Sequence, residues 1–374
     1  MILTHLQVNN FKSYESWEGD LCSNVNCFVG NNGVGKTNLL DAVYYLSFCK
    51  SYFNPMDQQN IRYGQDFFAI HGKYLSDVGE DPVAVSCVLK KGQPKQMKWD
   101  KKAYKTLAEH IGRIPLVIVS PQDQTLILGG SDVRRKFIDG IISQMDKGYL
   151  QTLLQYQKAV DQRNQLLKQF AEAAEWDEAS IAIWDEQLAR YGEVLYAARR
   201  QFVKDYTPIF QEYFNWISDG HEQVQLIYQS QQTTDADGHP TITLQQLIAD
   251  AHQADKYSQY TTVGPHKDDF LLQIERTDGE TLPIRRFGSQ GQQKTYLLAM
   301  KLAQFDYLYH QCGSKPILLL DDIFDKLDMQ RVSQLLKLVA GDRFGQVFLT
   351  DTQPGRVNQL LADIPQPHQI FEIG

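Results

Sequence analysis

The segment Gly30-Asn31-Asn32-Gly33-Val34-Gly35-Lys36-Thr37 fits G-x-x-x-x-G-K-[ST] at every fixed position. It constrains the fold because this loop does its chemistry only between a strand and a helix. The flanks comply: Val25 to Val29 reads as a strand, and Asn38 to Phe48 as an apolar-rich helix. The glycines let backbone N–H groups turn inward around phosphates with no Cβ in the way. Lys36 reaches the β- and γ-phosphates, and the Thr37 hydroxyl completes the oxygen shell of a magnesium ion. The helix that follows aims its positive end at the same anions. A nucleoside triphosphate and Mg2+ are the expected ligands, with Lys36 acting on the phosphates during catalysis.

A second element fits this one. Ile317-Leu318-Leu319-Leu320-Asp321-Asp322 is an apolar strand ending in two carboxylates. Such a strand delivers its acids to the carboxyl edge of a parallel sheet, where phosphates bind. Asp321 is placed to hold magnesium, and Asp322 to orient or deprotonate the attacking water. A third, Phe287-Gly288-Ser289-Gln290-Gly291-Gln292-Gln293-Lys294-Thr295, reads as a small-residue turn opening a helix. Ser289, Gln290, Gly291 and Gln292 there make an anion site, or an ordinary serine cap. With one loop already cradling phosphates, a second anion site is explained if two copies face each other across the nucleotide.

At 374 residues two domains are expected, and 43% hydrophobic residues supply ample core. A net charge of −8 argues against indiscriminate coating of nucleic acid but allows a local basic patch. The five cysteines form no C-x-x-C pair, as expected of reduced thiols in a cytoplasmic protein. No signal peptide is legible at Met1-Ile2-Leu3-Thr4-His5, and the longest apolar runs are strand-length, so no membrane partner is expected.

The opening alternates, which predicts a strand with Ile2, Thr4, Leu6 and Val8 on one face. Phe67 to Tyr74, Val83 to Leu89 and Leu116 to Val119 read as further strands. From Val133 to Ser218 proline occurs only at Pro208, and Ile181, Trp184, Leu188, Tyr191, Leu195, Ala198 and Phe202 form a helical stripe. Leu150 to Phe170 is also helical in composition. With a reversal at Ala171 to Glu178 the two helices make either an arm of roughly 30–50 Å or a plain helical subdomain. Asp235 to Pro240 is a turn-rich link, and strand-like segments return after Tyr260.

These elements, in this order, resemble the ATP-binding-cassette superfamily in its SMC-like branch, and within it the RecF family of DNA replication and repair proteins. The resemblance rests on Leu6 to Tyr14, Gly30 to Ala42, Ser120-Pro121-Gln122-Asp123, Arg134 to Asp139, Gln162 to Leu167, Gly264 to Phe270, Ser289 to Gln293 and Leu320-Asp321-Asp322. It covers almost the whole chain. It implies an α/β fold: an ATP-binding-cassette-type ATPase head split between residues 1–120 and 257–374, with an inserted helical domain and short antiparallel arm at 121–256. It further implies a weak DNA-stimulated ATPase used as a switch, forming an ATP-dependent homodimer. That dimer clamps DNA at junctions of single and double strand and helps load recombinase at gaps with RecO and RecR. Gln122 stands where the family usually carries Glu and is a further candidate metal contact. Thr350-Asp351-Thr352 lacks the switch histidine of transporters, which leaves open what senses the γ-phosphate.

Seven lysines between Lys90 and Lys105, Lys98, Lys101, Lys102 and Lys105 among them, are candidate DNA contacts, with Trp99 and Tyr104 interleaved. A solvated surface hairpin explains them equally well. Arg134 and Arg135 are also candidates for phosphate, or for pairing with acids inside the arm. His266 with Asp268 and Asp269 offers a weaker metal-ligand reading. A transporter ATPase subunit and a small-molecule phosphotransferase are the competing functional classes.

Overall fold

The structure, a computed structural model, describes every residue except 77–80, 219–221, 236–239, 277–278, 324–328 and 363–364. The chain divides into two units, Met1–Asp123 with Leu297–Gly374, and Gln124–Tyr296.

The first unit is built on two sheets. One is wholly parallel, in the spatial order His368–Glu372, Val25–Val29, Val347–Asp351, Ile317–Leu320, Leu116–Val119. All of these strands but His368–Glu372 are mostly apolar in sequence and every residue in them is buried, as strands covered on both faces require. The other sheet is antiparallel, in the order Tyr14–Asp20, Ile2–Phe11, Phe67–Leu75, Val83–Lys90, Gln96–Trp99, Lys102–Ala103. The helix Lys36–Phe48 packs against strands of both sheets and buries Leu39, Leu40, Val43, Tyr45 and Leu46 together. A helix enclosed this way needs no polar face. Each of those side chains contributes about 1.5–3 kcal/mol by leaving water.

One expectation is corrected here. Strict alternation in the first strand would place Leu3 opposite Leu6, yet both are fully buried. The register with Phe67–Leu75 shifts between Leu3 and His5, a bulge that turns the strand over at Thr4.

In the second unit, helix Ser131–Met145 leads into Lys147–Ala173, and Ala174 in the left-handed region (φ 52°) ends that helix before Glu178–Ser218 returns beside it. Pro208 lies inside the long return helix. The link expected at Asp235 to Pro240 falls largely outside the described residues. Strand Gln223–Gln229 pairs with Asp269–Glu275, which pairs with Thr281–Pro283. That pairing moves the second seam from the expected position: residues 257–296 belong with the helical unit. The division falls at Tyr296/Leu297, inside the helix Gln290–Cys312.

Two buried arginines organise this unit. Arg163 donates to Asp185 at 2.6 Å and to Asp255 at 2.5 Å. Arg199 donates to both oxygens of Asp139 and to the carbonyl of Pro265. Several segments that carried the family resemblance therefore serve as internal architecture. Among the described residues, no helix is long and apolar enough to cross a membrane.

Candidate nucleotide-binding site

The glycine loop needs its glycines. Gly30 has φ 154°, and a Cβ there would lie 2.2 Å from the carbonyl oxygen of Ile373. Gly35 has φ 110° and stands at the N-cap of helix Lys36–Phe48, where a Cβ would meet Ser13 Oγ at 2.7 Å. No side chain caps this helix and its first turn carries no acid, so its leading N–H groups are kept for an anion. Lys36 is almost buried and curls back, Nζ donating to the carbonyls of Gly30 and Asn31, both at 2.8 Å.

Parallel register brings the acidic strand end to this loop. Thr37 Oγ1 donates to Asp321 Oδ1 at 2.8 Å, joining residues 284 positions apart. Thr350, at the end of the neighbouring strand, donates to the same oxygen at 3.0 Å, while its hydroxyl accepts from the Asp322 amide at 2.9 Å. Asp322 itself is held in the left-handed region, φ 51°, a strained conformation for a non-glycine residue. Burial pushes the Asp321 carboxyl above its usual range, against the two hydroxyl bonds and the field of Lys36, with Asp322 adding to the rise.

These groups line a cleft of about 410 Å³ that also takes in Asn38, Phe53 and Gln122. Gln122 is set by its neighbour. The buried Asp123 accepts from the Ser120 amide at 2.7 Å, from the Tyr52 hydroxyl at 2.5 Å and from Lys301 at 2.7 Å. Tyr52 is in turn held through its amide by Asp41 on the P-loop helix. The donor set around Thr37 and Asp321 is all oxygen, which fits magnesium. Among the described residues no group of three or more His, Cys, Asp or Glu side chains could hold any other metal. Sequence reasoning named Lys36, Thr37, Asp321 and Asp322; it noted Thr350 only as part of a segment without a switch histidine and gave it no bond to the acids, which follows from its place at the end of the adjacent parallel strand.

The lining residues all belong to the first unit, whereas Ser289, Gln290, Gly291 and Gln292 stand in the second. Ser289 accepts from the Gln292 amide at 3.2 Å and its own amide donates to Gln292 Oε1 at 2.8 Å, a reciprocal capping box. Ser289, Gln290 and Gly291 are exposed beyond that cap.

The basic candidates separate. Lys98, Lys101, Lys102 and Lys105 are exposed on the last strands of the antiparallel sheet, where lysine also deters edge-to-edge pairing. Lys95 is spent on Asp57 at 2.6 Å, and Trp99 and Tyr104 both carry the guanidinium of Arg113 over their rings. Arg134 takes the acid-pairing alternative: it forms a two-pronged pair with Asp269, at 2.7 and 2.8 Å, and bonds the Gly129 carbonyl. His266 accepts from Tyr156 at Nδ1 and donates to the Thr261 carbonyl from Nε2. Both nitrogens are used, so it joins no metal site.

Comparison with known proteins places this geometry. A family model described as an AAA domain matches residues 5–201, and another, described as an AAA domain, putative AbiEii toxin, Type IV TA system, matches residues 156–350. Over its whole length the chain is 48% identical to the DNA replication and repair protein RecF of Phocaeicola vulgatus, 96% of which it covers. A solved structure of the recombination mediator protein RecF with ATP, in the RecFOR pathway, matches with a TM-score of 0.85 at 30% identity, over 94% of this chain and 92% of that one. The Smc head domain of Pyrococcus furiosus, bound to the C-terminal domain of ScpA, matches with a TM-score of 0.57 at 15% identity, over 100% of this chain and 94% of that one, a likeness of fold.

Proposed function

The chain belongs to the RecF family of DNA replication and repair proteins, and from that membership we propose that it works as an ATP-switched homodimer that clamps DNA. The observation that carries this reading is the 2.8 Å bond between Thr37 and Asp321, which brings a phosphate-binding loop and a metal-binding carboxylate to one point. On binding ATP, Lys36 exchanges the Gly30 and Asn31 carbonyls for phosphate oxygens. Thr37, Asp321 and Gln122 would hold a magnesium ion, which when bound would neutralise charge on the transferring phosphoryl group. Asp322 takes the proton of the attacking water. Thr350, bonded to the Asp321 carboxylate and to the Asp322 amide, keeps the two acids in place. Ser289, with Gln290, Gly291 and Gln292, caps the triphosphate held by the twin subunit. Hydrolysis is slow, stimulated by DNA, and releases the clamp. Lys98, Lys101, Lys102 and Lys105 touch DNA phosphates. The DNA is a junction of single and double strand, where with RecO and RecR the dimer promotes recombinase loading at gaps.

Sedimentation with and without ATP tests the clamp. The wild-type chain should associate only with ATP, and a gapped duplex should travel with the dimer. Lys36→Ala should lose ATP binding and association together. Ser289→Arg should keep ATP binding and lose association. A dimer persisting in both variants overturns the reading.

A further inference from the structure

The loop between helix His252–Ser258 and strand Asp269–Glu275 is built more rigidly than a connection requires. Thr261 donates through both amide and hydroxyl to Asn164 Oδ1, at 2.7 and 2.8 Å. Thr262 does the same to Asp255 Oδ1, at 2.8 and 2.6 Å. Gly264, at φ 120°, donates to Gln231, and a Cβ on it would lie 2.4 Å from the Tyr156 hydroxyl. His266 closes the loop through Tyr156 and the Thr261 carbonyl.

This fixed loop presents groups that the fold does not use. Tyr257 is 93% exposed and Tyr260 47% exposed. The exposed Lys267 sits 4.6 Å from the centre of the Tyr260 ring. Arg135, on helix Ser131–Met145, donates to the carbonyl of Asp268, the residue that follows Lys267, so two cations are held side by side. Three of the acids around them face inward: Asp255 serves Arg163, Asp268 accepts from Tyr228, and Asp269 serves Arg134, while the exposed Asp132 is paired with Lys136 at 3.5 Å. Burial lowers the pKa of both Arg135 and Lys267, with the field of Arg199 adding to the fall at Arg135 and that of Arg135 adding to it at Lys267. In a chain of net charge −8, this is a local positive site beside exposed flat rings.

We propose that the 257–267 loop with Arg135 is a contact site for single-stranded nucleic acid. Lys267 and Arg135 take a backbone phosphate, and the Tyr260 ring stacks on an unpaired base, with Tyr257 offering a second ring. A duplex keeps its base faces inside, so exposed rings favour the single strand. The inference rests on DNA with a single-stranded part being the partner, as proposed above, and adds the residues that contact that strand.

The test is equilibrium binding of the full chain to a labelled oligothymidylate and to a blunt duplex, across a salt series with ATP present. Tyr260→Ala should weaken oligothymidylate binding roughly 5- to 100-fold, the loss expected for one stacked base. Tyr260→Trp should retain it. Lys267→Gln should lower the slope of log affinity against log salt by about 0.7. Duplex affinity should stay within twofold in all three. Unchanged oligothymidylate binding in Tyr260→Ala and Lys267→Gln overturns the site, and an equal fall on duplex overturns the single-strand assignment. Failure of the wild-type chain to bind either DNA instead overturns the partner class itself.

Discussion

Asp321 sits in a balance set by single atoms. One of its oxygens accepts two hydroxyl hydrogens, from Thr37 and Thr350, while burial disfavours its charge. A carboxyl with a raised pKa holds its proton longer folded than unfolded, so folding is favoured at acidic pH. That advantage is lost as pH rises from the ordinary carboxylate value through the raised one. Once ionised, this carboxylate is a buried charge that a bound cation would offset. Asp321→Asn keeps an oxygen for both hydroxyls and removes the charge. It should raise the melting temperature without nucleotide by about 2–4 °C, as about 1 kcal/mol does in a unit of this size. The same variant should lose magnesium-dependent ATP turnover. Calorimetry and phosphate release check the two halves; a lower melting temperature would contradict the charge argument.

At the scale of elements, helix pairs in the second unit depend on polar ties as well as on the apolar stripe. Ile181, Leu188, Leu195 and Phe202 are buried along helix Glu178–Ser218, as the three-and-four spacing predicts. Between this helix and Lys147–Ala173 lies Arg163, fully buried. It bonds Asp185 on one side and Asp255, from helix His252–Ser258, on the other. Its removal strands two carboxylates away from water. Arg163→Leu should cost about 3–5 kcal/mol in urea denaturation. Arg163→Lys should recover little of it, since one ammonium cannot span both acids with a planar fork. A cost below about 1 kcal/mol would show that the helices hold by apolar contact alone.

For the molecule as a whole, acid sensitivity follows from histidines buried uncharged in each unit. In the first, His110 donates from Nε2 to the Leu46 carbonyl and is pushed down to about 4 by burial. In the second, His266 is likewise pushed down to about 4 by burial. A lowered histidine contributes stability above its unfolded value, near 6.5, and loses it as pH falls toward 4. Asp268, raised to about 6 by burial, runs the other way: its contribution is present at low pH and lost as pH rises to about 6. In the first unit Asp321, also raised by burial, opposes His110 in the same sense, so the difference between wild type and a His110 variant isolates the histidine. Between pH 7 and pH 5 it should cost the first unit about 2 kcal/mol. Denaturation of wild type and His110→Gln at the two pH values measures this, and equal slopes would refute it.

What could be read in advance was whatever short-range pattern determines. The strand before the glycine loop, the helix after it, the Ile317-Leu318-Leu319-Leu320 run and the amphipathic stripe are each set by neighbours within a few residues, and each stands where the spacing put it. The RecF resemblance rests on motifs of the same short kind. Elsewhere the sequence was silent or misleading. The bulge at Thr4 answers to a partner strand some seventy residues away. The seam at Tyr296/Leu297 answers to the pairing of Asp269–Glu275 with Gln223–Gln229. Arg134 was open to a phosphate or to an acid in the fold, and only its pairing with Asp269 decides between them. Thr350 acquired its place from a parallel strand order that no local pattern encodes. The sequence by itself determined the kinds of element and the chemistry of the glycine loop, because propensity and periodicity act over a few residues. Only the tertiary structure decided which acids meet which cations and which hydroxyl bridges Asp321 and Asp322, because those pairings depend on distances between segments far apart along the chain.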